Sequence, residues 1–236
     1  MSLKRFLVFS DLHITPKGYD TTILREIAAV ISKSRPDYIV CTGDIGDFAS
    51  QNKLVKDRGS FSVAEELTVV MNYLDSFVFG PVQDIQNKQR RDKKKLYKPE
   101  IVFCLGNHDA PVSEALTAML KDKAVVVPHR DFIVLEDVCF SHTFDYGITG
   151  NPCTTTAQIL QNTYKRSVSG HSHVRSITEQ RDINGYKIFA IKMPCATMSY
   201  PKWAGQSSLK WDRGYLCLTI DTASDWFHYS FREVRV

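Results

Sequence analysis

With 236 residues, 43% of them hydrophobic, the chain can bury a sizeable core, and we expect a single domain spanning residues 1–236. Charged residues make up 24% and the formal net charge is +4, a mildly basic balance that suits an anionic substrate without requiring nucleic acid. Six cysteines with no C-x-x-C pair argue against a disulfide framework or a thiolate zinc knuckle, and no apolar run is long enough to span a bilayer, so the expectation is a reduced, cytoplasmic protein without membrane contact.

The first apolar run, Phe6-Leu7-Val8-Phe9, reads as a buried strand that exits into Ser10-Asp11-Leu12-His13. Asp11 and His13 are two residues apart, so both can point the same way from an extended chain. Taken alone, the pair describes a turn-capping Asp and a surface His equally well. Thr21 or Thr22 is placed to cap a helix whose apolar face is Ile23, Ile27, Val30 and Ile31, with Pro36 beyond its end. Tyr38-Ile39-Val40-Cys41 is a second strand and delivers Thr42-Gly43-Asp44-Ile45-Gly46-Asp47. Strand, helix, strand implies a parallel pair with a right-handed crossover, which sets Asp44 beside Asp11 at one sheet edge. Asp47 is expected to order this loop or support a ligand.

A second helix spans residues 62–79 with Leu67, Val70, Met71 and Leu74 as its stripe. The most basic stretch follows, with Lys88, Arg90, Arg91, Lys93, Lys94 and Lys95, and reads either as a polyanion patch or as a solvated surface. A third strand ends at Cys104 and runs into Gly106-Asn107-His108-Asp109. After a short helix over 113–120, the apolar segments at 125–127, 132–135 and 138–140 suggest a second sheet, the last of them exiting into Ser141-His142-Thr143. A helix at 154–162 and a very short strand at 168–169 lead to Gly170-His171-Ser172-His173. The remainder is strand-rich, with Asn184-Gly185 as a hairpin turn, and the long loop from Pro194 to Arg213, carrying Tyr200, Trp203 and Trp211, has the length of a functional loop.

The strand exits thus bring Asp11, His13, Asp44, Asn107, His108, His142, His171 and His173 together. Carboxylate, amide oxygen and imidazole suit Mn, Fe, Zn or Ni, and no thiolate is involved. The set is too large for one ion. It suits two divalent cations with one shared carboxylate; a pair about 3.5–4 Å apart can generate hydroxide at neutral pH and clamp an in-line phosphoryl displacement.

Asp11-Leu12-His13, Gly43-Asp44, Gly106-Asn107-His108-Asp109, His142 and Gly170-His171-Ser172-His173, in that order, resemble the signature of the calcineurin-like metallophosphoesterase superfamily, over most of the chain. The resemblance implies an α/β fold, a four-layer αββα sandwich of two packed mixed β-sheets flanked by helices. It implies that Asp11, His13 and His173 hold one metal, that Asn107, His142 and His171 hold the other, and that Asp44 bridges, with manganese the first choice. His108 is then the catalytic residue near the leaving-group oxygen, and Asp109 orients it. The protein serine/threonine phosphatases of the superfamily carry an Arg soon after the Gly-Asp block; here Ile45 to Ala49 contain none. The closing segment is similar to small bacterial and phage members described as phosphoesterases or repair-like exonucleases, without the DNA-binding cap of the repair nucleases. The expected substrate is a phosphate ester, foremost a diester in nucleic acid or a nucleotide. The alternatives are a phosphomonoesterase and, more distantly, a non-catalytic scaffold.

Overall fold

The computed structural model describes residues 3–51, 61–146, 150–198 and 202–234. Strands β1 (Leu3–Phe9), β2 (Tyr38–Cys41), β3 (Glu100–Cys104) and β4 (Val125–Val127) run parallel, side by side. Next to β1, β12 (Gly214–Asp221) and then β13 (Phe227–Glu233) add antiparallel, completing a six-stranded sheet. The second sheet has the order β10 (Ser176–Arg181), β11 (Lys187–Lys192), β9 (Arg166–Ser169), β6 (Val138–Ser141), β5 (Ile133–Leu135) and is also mixed. A two-stranded ribbon, β7 (Asp145–Tyr146) with β8 (Asn151–Pro152), lies outside both sheets.

Alternation along the strands explains the layers. Phe6, Val8, Val40 and Val102 face Val138, Phe140, Val168 and Ile191 of the second sheet. Leu7, Phe9, Ile39 and Phe103 point the other way and are covered by α1 (Thr22–Ser34), α2 (Val63–Leu74) and α4 (Ser113–Leu120). On the far face of the second sheet, Ile159 and Leu160 of α5 (Thr156–Thr163) cover Cys139, Ile188 and Ala190. With both faces buried, the parallel strands are apolar over Phe6–Phe9, Ile39–Cys41 and Ile101–Cys104, which is why they read as continuous runs. The result is the four-layer αββα sandwich of two mixed sheets. All six cysteines are free, Cys41, Cys104, Cys139 and Cys217 of them within strands.

Three local expectations are corrected. The segment at 125–127 extends the first sheet, with Val102 opposite Val125, because α4 acts as a crossover that returns the chain to β3; the second sheet begins only at β5. Neither Thr21 nor Thr22 caps α1 by its side chain. The Thr22 amide and hydroxyl instead donate to Asp20 Oδ1 at 2.8 and 2.6 Å. The helix after Ser62, started by a Ser62–Glu65 capping box, does not stop at Phe79; it passes through a π-helical turn (Asp75–Phe79) into α3 (Gly80–Arg91).

Register places the site. Phe9 is level with Cys41, and Cys41 with Phe103, so three chains leave the carboxyl edge of the first sheet together. Ser141 is level with Ser169 in the second sheet, so His142 and Gly170-His171 emerge together as well. The basic stretch goes to the opposite edge: α3 and the segment after it lead to Glu100, which is level with Tyr38 at the amino ends of β3 and β2. Among the described residues, no helix is long and apolar enough to cross a membrane.

Candidate metal centre

Each predicted ligand sits within a few residues of a strand end, and five of the seven are themselves in the left-handed region, which bends the backbone sharply. Asp11, His13, Asp44, His171 and His173 have φ values of 53°, 50°, 49°, 71° and 57°. Asp and His tolerate this region better than bulky residues do, and the turns let side chains from one short loop converge. The neighbouring glycines are required by close approach. A Cβ on Gly106 would lie 2.1 Å from Asp44 Oδ1, and one on Gly170 would lie 2.7 Å from the Thr42 carbonyl oxygen.

The donors form two groups that share one residue. Asp11, His13, Asp44 and His173 offer atoms that all lie within 4.8 Å of one another, and so do Asp44, His142 and His171. His173 Nε2 lies 3.0 Å from Asp11 Oδ1 and 3.2 Å from His13 Nε2. In the second group, His142 Nε2 is 3.3 Å from Asp44 Oδ2 and 3.0 Å from Asn107 Oδ1, and His171 Nδ1 is 2.9 Å from that same amide oxygen. The structure therefore brings together all seven residues expected as ligands.

Hydrogen bonds behind the donors set the tautomers. His142 Nδ1 donates to the Thr42 carbonyl at 2.8 Å, since a carbonyl can only accept, and this leaves Nε2 with its lone pair facing the cluster. His13 Nδ1 meets Asp47 Oδ1 at 2.9 Å, which likewise turns Nε2 inward. Asp47, His13 and His108 also fall within metal-binding distance of one another, but His13 addresses Asp47 with the nitrogen turned away from His173, so Asp47 supports the ligand. Asp11 Oδ2 accepts from the His171 amide at 3.0 Å and from the Ser10 hydroxyl. Asp44 Oδ1 accepts from the His108 amide at 2.8 Å, tying the third strand's loop to the shared carboxylate.

Burial and charge oppose each other throughout this cluster. Burial pushes the Asp11 and Asp44 carboxyls up, but attraction to His173 and His142 respectively outweighs it, holding Asp11 low and Asp44 well below the usual carboxylate range. Burial disfavours a charge on His13 and His142, yet the Asp47 carboxylate lifts the first to about 9 and Asp44 lifts the second to about 9. His171 falls to about 4, from burial and the neighbouring His142. The carboxylates thus favour positive charge at this cluster. Hard oxygens, inward imidazole lone pairs and a shared carboxylate fit two divalent cations.

His108 lies beside this centre, its ring edge-on to His13 with centroids 4.7 Å apart. Its Nδ1 donates to the Asp47 carbonyl oxygen at 3.2 Å, and Asp47 Oδ1 is 3.8 Å away. The Asp109 carboxylate accepts from the amides of Gly106 at 2.8 Å, Ile45 at 3.0 Å and Gly46 at 3.3 Å, so it clamps the second and third loops together while Asp47 faces the ring. Burial and the nearby Asp44 push Asp109 up to about 7 despite those three bonds.

Two contributors were given no place at the centre by the sequence: Trp211 was named only as part of a long functional loop, and Glu66 was not named. Trp211 stacks near-parallel to His13 with centroids 6.4 Å apart, and His173 meets it edge-on at 4.0 Å. The Pro194–Arg213 loop therefore does reach the centre, although its residues 199–201, including Tyr200, lie outside those described. Buried Glu66 on α2 accepts from the Ala49 amide at 2.8 Å and from the Ser50 hydroxyl, holding the chain just after Asp47. A Trp in a long loop is a weak signal, and a Glu one turn into a helix is none.

The family model for calcineurin-like phosphoesterases matches residues 4–175, a span that begins in β1 and ends just beyond His173. The chain belongs to that family. No curated protein matches the sequence. Among solved structures, 98% of the chain aligns with 95% of Vps29 from Chaetomium thermophilum at 11% identity and a TM-score of 0.46. A dimetal phosphatase from Danio rerio aligns over 91% of this chain and 92% of its own (11% identity, TM-score 0.40). The nuclease MPE of Pseudomonas putida aligns over 82% of this chain and 75% of its own (13% identity, TM-score 0.37). Calcineurin-like phosphoesterases are for the most part dimetal hydrolases, and the buried His/Asp cluster of this chain is able to hold metal.

Proposed function

We propose that this chain is a metal-dependent phosphodiesterase acting on nucleic acid or nucleotides, with two divalent cations, manganese first among them. Asp11, His13 and His173 would hold one, Asn107, His142 and His171 the other, and Asp44 both. When bound, the cations supply Lewis-acid charge and a water acidified enough to attack phosphorus near neutral pH. The observation that carries the reading is the sharing of Asp44 between the two donor groups, with the His108 amide bonded to that same carboxylate.

The chain's own groups have separable roles. Asp47 and the Thr42 carbonyl fix the His13 and His142 rings. The Nδ1–H of His108 donates to the Asp47 carbonyl, which fixes the ring beside the centre, and Nε2 is given the role of meeting the departing oxygen. Burial lowers the proton affinity of this imidazole, and an anionic phosphate beside it raises it again, so the imidazole would take up a proton from solvent as the substrate binds and pass it to the leaving alkoxide. Preference for a diester is supported by Trp211, an aromatic ring against His13 and His173 that suits a base or another flat ester group.

The test is hydrolysis of bis-p-nitrophenyl phosphate beside p-nitrophenyl phosphate, with Mn²⁺ and with a chelator. Metal-dependent turnover favouring the diester is expected. Preference for the monoester would replace this reading with a phosphomonoesterase, and absence of turnover on both with metal bound would point to a scaffold.

A further inference from the structure

The basic stretch has no part in the centre described above. Between Lys88 and Lys98 seven cations stand against one acid, Asp92, and only Lys94 approaches it, at 3.5 Å. The end of this stretch walls a cleft of about 510 Å³ at the amino edge of β1, β2 and β3, with Arg35, Lys95 and Lys98 at its rim and Tyr97, Asp37 and Glu100 among its other walls. Arg35, Lys95 and Lys98 are exposed and have no acidic partner within ion-pair distance among the described residues. The walls are fixed: Tyr97 donates to the Pro36 carbonyl at 2.7 Å and takes the Gln89 side-chain oxygen on its amide at 2.7 Å, and the Arg5 guanidinium holds the Ser34 carbonyl at 2.8 Å.

We propose that this cleft is a second nucleic-acid site, binding the phosphate backbone of a single strand at the end of the sheet opposite the metal centre. Unpaired cations at a rim attract a chain of phosphates and release its counterions. A concave site is closed to a flat membrane surface. Asp37 and Glu100 repel an acidic peptide but can accept from base amino groups and ribose hydroxyls. The strands from Tyr38 and Glu100 to Cys41 and Cys104 set the two sites roughly 15 Å apart along the sheet, so a short diester meets the metal centre alone and a long strand can engage both. The choice of nucleic acid rests on the phosphodiesterase reading, but binding needs no turnover, so the two can fail separately.

The experiment is fluorescence anisotropy of a cleavage-resistant phosphorothioate single strand on the full, metal-loaded chain, for wild type and for Arg35→Gln/Lys95→Gln/Lys98→Gln. The triple variant should bind about tenfold or more weakly, with its log–log salt slope reduced by about two, near 0.7 for each cation. Lys95→Gln alone should lose about 0.7 of that slope, and Lys187→Gln, on the second sheet, should bind as wild type does. Turnover of bis-p-nitrophenyl phosphate should be unchanged in all three. Unchanged affinity in the triple variant overturns the proposal. So does equal weakening by Lys187→Gln, or tighter binding of a glutamate-rich peptide or of phosphatidylserine vesicles than of the oligonucleotide.

Discussion

The two ends of strands β1, β2 and β3 differ in what surrounds their charges. At the carboxyl ends, Asp11, Asp44, His13, His142 and His173 are buried, and each shares a hydrogen bond or an ion-pair contact with another group of the cluster. At the amino ends, Arg35, Lys95 and Lys98 stand exposed without acidic partners. Burial moves proton affinities by units and makes every added or removed charge costly. Exposure lets salt screen the charges. Chemistry therefore belongs to the end whose charges are buried, although the other end is the more conspicuous in the sequence.

The contrast breaks most completely at Asp44. Asp44→Asn removes the charge common to both donor groups and should reduce metal-dependent turnover to background, with metal content falling below two ions per chain by elemental analysis. Near-normal turnover with two ions retained would mean that the two groups do not act as one site. His108→Ala comes next. It should keep both metals and lose rate by roughly 10²–10⁴-fold, least for a good leaving group such as p-nitrophenolate; loss of metal would make His108 a ligand. A third test sharpens the comparison through pH, by metal affinity and not by turnover. His13 and His142 titrate near 9 in the metal-free chain and must be neutral to ligate, so apparent metal affinity should rise with pH and level off above about 9. Each proton displaced adds about tenfold per pH unit, measurable by calorimetry in buffers of different ionisation enthalpy. An affinity flat across the range from about pH 6 to about pH 9, without the roughly tenfold steps expected, would show that the imidazoles are already neutral.

Much of this was legible because parallel strands buried on both faces leave a plain trace: an apolar quartet, then Asp, His or Asn at the exit. Phe6–Phe9 before Asp11 and Tyr38–Cys41 before Asp44 are of this kind, and parallel register did the rest. What was not legible depends on three-dimensional closure. Val125–Val127 is equally apolar in either sheet, and only the path of α4 assigns it to the first. Asp109 follows His108 directly in the chain, yet its carboxylate turns to the amides of Gly106, Ile45 and Gly46, a direction set by the bend of the loop. Trp211 arrives from a distant loop, so no spacing to His13 or His173 could announce it. The place of the Lys-rich stretch is of the same kind, since its distance from the site is a strand length that no sequence spacing to Asn107 states.

The left-handed backbone at Asp11, His13, Asp44, His171 and His173 carries a consequence for descent. Each position holds an L-residue where glycine or asparagine would rest more easily, at roughly 1 kcal/mol apiece. Drift at these five positions is therefore downhill for folding and is opposed only by selection for what the side chains do. A lineage that gave up hydrolysis for pure docking would lose these residues before its core changed and would melt at a higher temperature afterwards. This chain still carries all five.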